Sequence, residues 1–166
     1  PLDLDINLDH ADMNALALFF NPVTSAEGPI KGYVKVSGAW DDPELRGYVS
    51  VKNGRIELLT LHDPIFPLNM DVKFDGKSAT VEGNAVFGTG KSSVKGGLEW
   101  DRGAIIAYNG EAHIHAPDIH YDYYKGSLDA DFGLGEVMGV PGIEGNIHIH
   151  DALVEFPLTL LSDSGS

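Results

Sequence analysis

The sequence predicts an all-β fold built as a single elongated, mostly antiparallel sheet. Apolar and polar residues alternate with a period of two through most of the 166 residues, which is typical of strands with one dry and one wet face. Turn signals recur about every ten residues, which indicates about ten strands. An internal repeat indicates that the sheet grows by adding similar units and is not a compact sandwich.

The first element is the stretch PLDLDINLD at residues 1–9, in which every second residue is Leu or Ile. Its acidic residues superficially resemble the start of a calcium loop, which requires Gly at its sixth position and Glu at its twelfth. Counted from Asp3, those positions hold Leu8 and Asn14. The segment is therefore predicted to be a strand at the edge of a longer sheet, with its aspartates on the solvated face.

One segment, ADMNALALFFNPV, breaks the alternation. Asp12 can cap a helix in which Leu16, Phe19 and Phe20 share one face, and Pro22 would end it. We expect one short helix over about residues 12–20, packed on the end of the sheet.

The remaining runs predict strands joined by short turns. The turn signals are Asn53-Gly54, Asp75-Gly76, the glycine pair in GTG at 88–90, and Asn109-Gly110. The predicted dry faces carry Leu68, Met70, Val72 and Phe74; Val81, Ala85 and Phe87; Val94, Leu98 and Trp100; and Leu128, Ala130, Phe132 and Leu134.

The internal repeat aligns residues 43–57 (PELRGYVSVKNGRIE) with 141–155 (PGIEGNIHIHDALVE) without a gap. Gly47 aligns with Gly145, and a glycine inside a strand marks a bend or a place where a side chain would be in the way. Asn53-Gly54 aligns with Asp151-Ala152. Each copy is expected to form a strand, a tight turn and a second strand, within a single domain that covers residues 1–166.

Composition excludes several classes of function. The net charge of −14 disfavours nucleic acid and anionic membrane surfaces as partners, because both attract clustered Lys and Arg. The chain has no cysteine, so disulfides and thiolate sites are excluded. No apolar run approaches the roughly 20 residues of a membrane span. No signal peptide is visible, and the chain is interpreted as a segment of a longer protein.

Seven histidines are the most prominent candidates for chemistry. His113 and His115 share one strand face, as do His148 and His150, and two such pairs could chelate zinc. By the repeat, however, His148 aligns with Ser50 on the wet face, so these histidines are interpreted as exposed and no metal or other cofactor is expected. Catalytic motifs are absent, and GTGKSS at 88–93 is interpreted as a hairpin turn. We expect no enzyme activity.

The apolar face of the sheet must leave water, since exposing some twenty such side chains would cost tens of kcal/mol. One small helix is a poor lid for a sheet of this length, so the interior is expected to be only partly filled by the chain itself. The sheet could fold onto itself, close, or form a trough that receives another apolar molecule.

The order of elements resembles the TamB family of the wider AsmA-like group. The most specific part is the phrase G-x-[VI]-x-[VI]-x-G-x-x-x-x-P-x-L-x-G-x-V-x-V-x-N-G-x-[VI] from Gly32 to Ile56, followed by GTGKSSVKGGLEW and PGIEGNIHIHDALVEFP. The resemblance implies a U-shaped trough, or β-taco, in a periplasmic segment of an inner-membrane-anchored protein. It further implies transport of phospholipid between the inner and outer membranes and an outer-membrane barrel partner, TamA. No catalytic residues are implied.

On this resemblance, acyl chains of a phospholipid or another amphiphile are expected to lie along the inward residues. Two alternatives remain open: a scaffold that assembles outer-membrane β-barrel proteins with TamA through exposed sheet edges, and a self-filled β-domain with a structural role. Strand parity selects the candidate groove residues Val34, Val36, Val49, Val51, Met70, Val72, Phe74, Val81, Phe87, Leu98, Ile147 and Ile149.

Overall fold

The structure, a computed structural model, describes residues 1–9, 11–15, 22–59, 61–121, 124–137 and 140–154. These residues form eleven strands and one short 3-10 helix, η1 (Met13–Ala15). The strands are β1 (Leu2–Asn7), β2 (Ala11–Asp12), β3 (Val23–Glu27), β4 (Pro29–Ala39), β5 (Asp42–Leu58), β6 (Ile65–Gly76), β7 (Ser78–Phe87), β8 (Gly90–Asp101), β9 (Ala104–Tyr121), β10 (Tyr124–Val137) and β11 (Val140–Val154).

All eleven strands belong to one antiparallel sheet with the order β1-β4-β5-β6-β7-β8-β9-β10-β11. β2 extends the line of β1 alongside β4, and β3 extends the line of β4 alongside β5. From β4 onward each strand pairs with the next in sequence, as hairpin addition requires. The sheet is open, with β1 and β11 at opposite ends of this path. The predicted fold class is confirmed.

The sheet bends sharply at the end where the β4–β5, β6–β7 and β8–β9 turns meet. Strands three places apart would lie about 14 Å apart in a flat sheet. Nevertheless Trp100 Nε1 on β8 donates a hydrogen bond to the Pro43 carbonyl on β5 at 2.9 Å. Lys77 Nζ bridges Asp42 and Asp101 at 2.7 Å each. These contacts fold β5 and β8 toward each other into a trough.

The pairing register places the apolar side chains on the concave face. Directly opposite residues share a face in an antiparallel sheet, so each cross-strand row can be followed from strand to strand. One row reads Ile6, Val34, Gly47, Phe74, Ala79, Leu98, Tyr108, and the next reads Gly32, Val49, Val72, Val81, Gly96, Gly110, Leu134, Ile143.

The internal repeat is visible in the backbone, but its central turn was predicted wrongly. Asn53 and Asp151 both have positive φ, at 54° and 51°. Both lie inside continuous strands, at register breaks that place one extra residue on β5 and on β11. Such a residue is a β-bulge, whose left-handed conformation Asn and Asp tolerate as readily as they tolerate a hairpin turn. Each copy is therefore one long strand with a bulge.

The repeated glycine behaves as expected. A Cβ at Gly47 would overlap the Tyr33 carbonyl oxygen on β4, and a Cβ at Gly145 would overlap the Asp131 carbonyl oxygen on β10. Gly47 also has a φ of 138°, which L side chains rarely adopt. At both positions the neighbouring backbone occupies the space that a side chain would need.

Two other sequence predictions concern local elements. The turn predicted at Asn109-Gly110 was wrong, because both residues lie inside β9, where Gly110 pairs with Gly96. The helix predicted over 12–20 is reduced in the described part to η1, with Asp12 in β2. Residues 16–20 lie outside the described residues. The turns at Asp75-Gly76 and at 88–90 are confirmed.

The buried core lies at the end of the trough that holds η1. Met13 is 1% exposed and packs with Ala26, Val51, Leu68 and Ala85. We call these five residues the sealed end. The sulfur of Met13 packs against two glycines. A Cβ added at one of them, Gly54, would lie only 2.7 Å from Met13 Sδ. The whole set of buried apolar side chains among the described residues is Met13, Ala26, Val34, Val51, Leu68, Ala79, Ala85, Ala116 and Ala130.

Candidate functional site: an apolar groove

Beyond the sealed end, the concave face holds a cavity of about 770 Å³. We call it the apolar groove. Six consecutive strands line it, from β6 to β11, which is possible only because the sheet is bent around it. Its volume falls within the range of small-molecule binding sites, about 300–1,000 Å³. The side chains that face the groove are Val72, Phe74, Ala79, Val81, Val94, Leu98, Ile105, Tyr108, Ala112, Phe132, Leu134 and Ile143.

The groove is open to solvent along its β8–β11 side. Leu98 is 38% exposed, Leu134 44% and Ile143 71%, although all three are large apolar residues on the concave face. Tyr108 is the polar exception, and its hydroxyl donates a hydrogen bond to the Gly135 carbonyl oxygen at 3.2 Å. A contiguous exposed apolar surface of this kind marks an interaction site in a folded protein.

The register places all twelve candidate groove residues on the concave face. Val72, Phe74, Val81 and Leu98 line the cavity itself. Val36 on β4 and Val49 on β5 flank the cavity, and Phe87 lies on the same face of β7. Ile147 and Ile149 continue this face along β11, where they are 56% and 57% exposed.

Three candidates have a different setting from the one expected. Val34 is 6% exposed and Val51 is 9% exposed, so both are core positions. Met70 packs against the sealed end. These three help to hold the trough together and do not face open space.

Sequence reasoning missed the groove residues of the last three strands. Ile105, Tyr108, Phe132, Leu134 and Ile143 line the cavity and were not among the candidates. Phe132 and Leu134 had been placed on a dry face, and Ile143 has the same parity as Ile147. Extending the parity rule across β9 to β11 finds Tyr108, Phe132, Leu134 and Ile143, whereas Ile105 has the opposite parity and reaches the groove through the register shift between Glu99 and Trp100.

The convex face is polar. It carries a hollow of about 780 Å³ lined by charged side chains such as Lys73, Glu82 and Lys95. Ion pairs cross its strands: Lys52 Nζ lies 2.6 Å from Asp71 Oδ2, and Ser50 donates to the same carboxylate at 2.7 Å. Lys52 and Ser50 lower the pKa of Asp71 below its usual range. This hollow suits water and ions, whereas the apolar groove suits hydrocarbon.

Both histidine pairs lie on the convex face, which the repeat predicts for His148 and His150. His113 Nδ1 lies 2.6 Å from Asp131, and His115 Nδ1 contacts Asp129. The Asp131 carboxylate raises the pKa of His113 above its usual range. The rings of His148 and His150 stack with centroids 6.5 Å apart.

Among the described residues, no group of three or more His, Asp or Glu side chains is arranged to hold a metal ion. The acidic residues of β1 are engaged in other contacts. Asp3 Oδ1 forms an ion pair with Lys35 Nζ at 2.9 Å, and Asp5 Oδ1 accepts a hydrogen bond from the Tyr33 hydroxyl at 2.5 Å. They form a solvated strand face and not a calcium loop, since the apolar residues between them share the concave face.

Within the described ranges, no helix has the length and apolarity that crossing a membrane requires. The chain matches no known protein-family model, no curated protein and no solved structure.

Proposed function

We propose that this chain is a segment of a lipid-conducting trough that binds the acyl chains of phospholipids in its apolar groove. The observation that carries the proposal is an open cavity of about 770 Å³ whose facing side chains are almost all apolar. A binding role accounts for the groove without any catalytic group.

The energetics favour an apolar occupant. Covering apolar surface gains about 25 cal/mol per Å², and Ile143, Ile147 and Leu134 are each between 44% and 71% exposed. A hydrocarbon chain laid along these residues would remove their surface from water, while the phosphate headgroup would remain at the open side. The acidic convex face would keep such a segment soluble and would repel an anionic membrane surface.

The wider context follows from the resemblance to the TamB family. Under the proposal, the segment belongs to a periplasmic protein anchored in the inner membrane, and the full-length protein meets a TamA-like barrel at the outer membrane. Neighbouring segments would extend the groove at both ends, so phospholipid could slide from one segment to the next.

The test is to place a charge inside the groove and a matched charge outside it. Val81→Glu puts a carboxylate among the groove side chains, whereas Thr80→Glu puts the same carboxylate on the convex face of the same strand. Each purified variant is incubated with phosphatidylethanolamine and phosphatidylglycerol vesicles, and bound phospholipid is counted by native mass spectrometry.

We expect the parent and Thr80→Glu to retain phospholipid and Val81→Glu to lose most of it. Burying a carboxylate against hydrocarbon costs several kcal/mol, which corresponds to at least about a hundredfold weaker binding. Equal binding by the two variants, or no phospholipid on the parent protein, would exclude the proposal. Circular dichroism checks that both variants keep the β signal.

A second candidate function is supported by the ends of the sheet. β1 and β11 each pair on one side only within the described part of the chain, and unpaired strand edges can accept strands from other proteins. A scaffold for outer-membrane β-barrel assembly would use these edges. Photo-crosslinking from β1 and β11 in cells would yield outer-membrane protein adducts if this function operates.

A further inference from the structure

The apolar groove runs along the strands between two unlike ends. One is the sealed end, which Met13 fills. The other holds the β4–β5, β6–β7 and β8–β9 turns, and we call it the turn end. Groove side chains occupy successive concave positions along β8, from Leu98 near the turn end to Val94 further in. The next concave residue of β8, Ser92, already lies opposite Ala85 of the sealed end.

The exposed fraction of the concave side chains falls from the turn end toward the sealed end. On β9, Ile105 is 64% exposed and Ala116 is 0% exposed, and on β10, Leu134 is 44% exposed and Ala130 is 2% exposed. Ile105 and Leu134 line the groove. Ala130 lies in the same cross-strand row as Ala85 of the sealed end. The groove is therefore wet at the turn end and dry where it meets the sealed end.

The length of the groove matches the length of one acyl chain. Ile105 lies opposite Trp100, which is six residues along β8 from Val94. The outer and inner lining residues are thus roughly 20 Å apart, at about 3.3 Å per residue. One acyl chain fills half of the hydrocarbon core of a bilayer, or about 15 Å. A chain that lies along the strands therefore fits between the turn end and the sealed end.

The distribution of charge decides which end of such a chain enters first. Among the described residues that line the groove, the charged ones are Lys95 and Glu111, and the register places both on the convex face, opposite each other. The concave side chains of the lining are apolar apart from Tyr108. A phosphate group pushed toward Met13 and Leu68 would lose its water and gain no charged partner, which is costly. At the turn end the same group remains in water.

We propose that the groove holds a phospholipid acyl chain end-on, with the terminal methyl group against the sealed end and the glycerol phosphate at the turn end. This inference rests on the proposed function and adds the orientation of the ligand. The phosphate lies outside Ile105 and Leu134, and the methyl group lies near Val94 and Ala85. A lipid that moves onward past the sealed end must displace Met13, whose unbranched thioether side chain repacks readily.

A tryptophan of the chain is a reporter for the outer end of the groove. The sequence has two tryptophans: Trp100 lies opposite Ile105, and Trp40 is 84% exposed on the β4–β5 turn. Trp40→Phe leaves Trp100 alone. This variant is loaded from phosphatidylethanolamine vesicles that contain phosphatidylcholine with a nitroxide on one acyl chain, either near the carbonyl or near the methyl end. Gel filtration removes the vesicles, native mass spectrometry counts the bound labelled lipid, and Trp100 fluorescence is measured.

A matched reporter is placed level with the sealed end. Ile147 pairs with Ala130, in the cross-strand row of Ala85, and is 56% exposed, so a larger side chain has room there. Ile147→Trp in a background of Trp40→Phe and Trp100→Phe reports the inner end. Circular dichroism checks that each variant keeps the β signal, and Trp40→Phe alone decides the orientation if the triple variant does not fold.

We expect the nitroxide near the carbonyl to quench Trp100 about threefold more strongly than the nitroxide near the methyl end, because about 15 Å of chain separates the two labels. The Ile147→Trp variant should show the opposite preference. Equal quenching of Trp100 by both labels in a lipid-bound complex, as expected for a chain lying across the strands, would overturn the end-on orientation and leave the proposed function standing. Stronger quenching of Trp100 by the label near the methyl end would have the same consequence. A protein that carries no labelled lipid would overturn both.

Discussion

The sealed end and the apolar groove lie on the same face of one sheet and share β6 and β7, yet one is packed and the other is open. At the sealed end, Met13 from η1 fills the space between the walls and is 1% exposed. In the groove no described residue performs that role, and Ile143 and Leu134 remain 71% and 44% exposed. The difference is that η1 and β3 add Met13 and Ala26 at the sealed end, whereas neither element lines the groove.

This comparison shows how a trough can be stable and still leave an apolar face open to a ligand. Close packing over a short length supplies the free energy that holds the walls together. The rest of the concave face can then remain uncovered and available for a partner.

The largest effect is expected at the repeated glycine of the wall. Gly47→Ala requires a Cβ where the Tyr33 carbonyl oxygen lies, at a φ of 138°, and should lower the free energy of unfolding by at least about 3 kcal/mol. Gly135→Ala is the control, because nothing lies within 4 Å of its added Cβ. Urea denaturation measures both, and equal midpoints would show that β4 and β5 do not approach as closely as described.

Truncation of side chains at the two regions tests the comparison directly. Met13→Ala removes a buried side chain from the sealed end and should cost about 2–5 kcal/mol. Ile147→Ala removes one that is 56% exposed and should cost less than about 1 kcal/mol. Urea denaturation without lipid gives both values. If Ile147→Ala were as costly as Met13→Ala, the β11 wall would be packed in solution and the groove closed.

A smaller effect is expected from the ion pairs that tie the bent end of the sheet. Lys77 lowers the pKa of Asp42 below its ordinary 3.8, and Asp101 and Asp42 raise the pKa of Lys77 above its ordinary 10.5. The stabilisation is present above the unfolded pKa of Asp42 and is lost as pH falls through the folded one. It is likewise lost when pH rises through the folded pKa of Lys77.

Lys77→Met should therefore lower the melting temperature near pH 7. The difference from the parent should shrink below pH 3.8 and above pH 10.5, which thermal denaturation across pH would detect. A difference that stays constant down to pH 2 would assign the effect to packing of the lysine stem and not to the ion pairs.

The smallest effect concerns the convex side of the open region. Asp131 raises the pKa of His113 above its ordinary 6.5. A raised histidine pKa gives stability that is fully present below pH 6.5 and is lost as pH rises through the folded value. Asp131→Asn should lower the pKa of His113 in an NMR titration and destabilise the protein slightly at pH 5.5 but not at pH 8. An unchanged His113 titration would contradict the pairing.

Much of the fold follows from local pattern, because strand faces alternate with a period of two wherever the strand lies. The twelve candidate groove residues, which were selected by parity, accordingly share one face of the sheet. The errors at Asn53 and Asn109 have a physical origin. Asn-Gly fits a hairpin turn, but Asn also fits a bulge, as at Asn53, and the same dipeptide can continue a strand, as Asn109-Gly110 does in β9. Local sequence does not distinguish these cases.

The division between sealed end and groove could not be read from the sequence. It depends on where η1 places Met13 relative to Leu68 and Ala85, which are more than fifty residues away in the chain. The same limit applies to Val34 and Val51, whose parity is that of groove residues and whose burial is decided by distant strands. Parity selects a face, and long-range packing decides which part of that face is filled.

The tie between the β4–β5 and β8–β9 turns has a mechanical consequence. Trp100, Lys77 and the Arg102 amide, which donates to Asp42 at 3.0 Å, fix the distance between β5 and β8. That side of the trough is a stiff wall. In the described residues no comparable contact crosses from β11 to the strands opposite, whereas the His62 amide donates to the His120 carbonyl of β9 at 3.3 Å, so only β10 and β11 form a compliant wall. The width of the trough is thus adjustable at one side only, and ligands of different width would be accommodated by movement of β10 and β11.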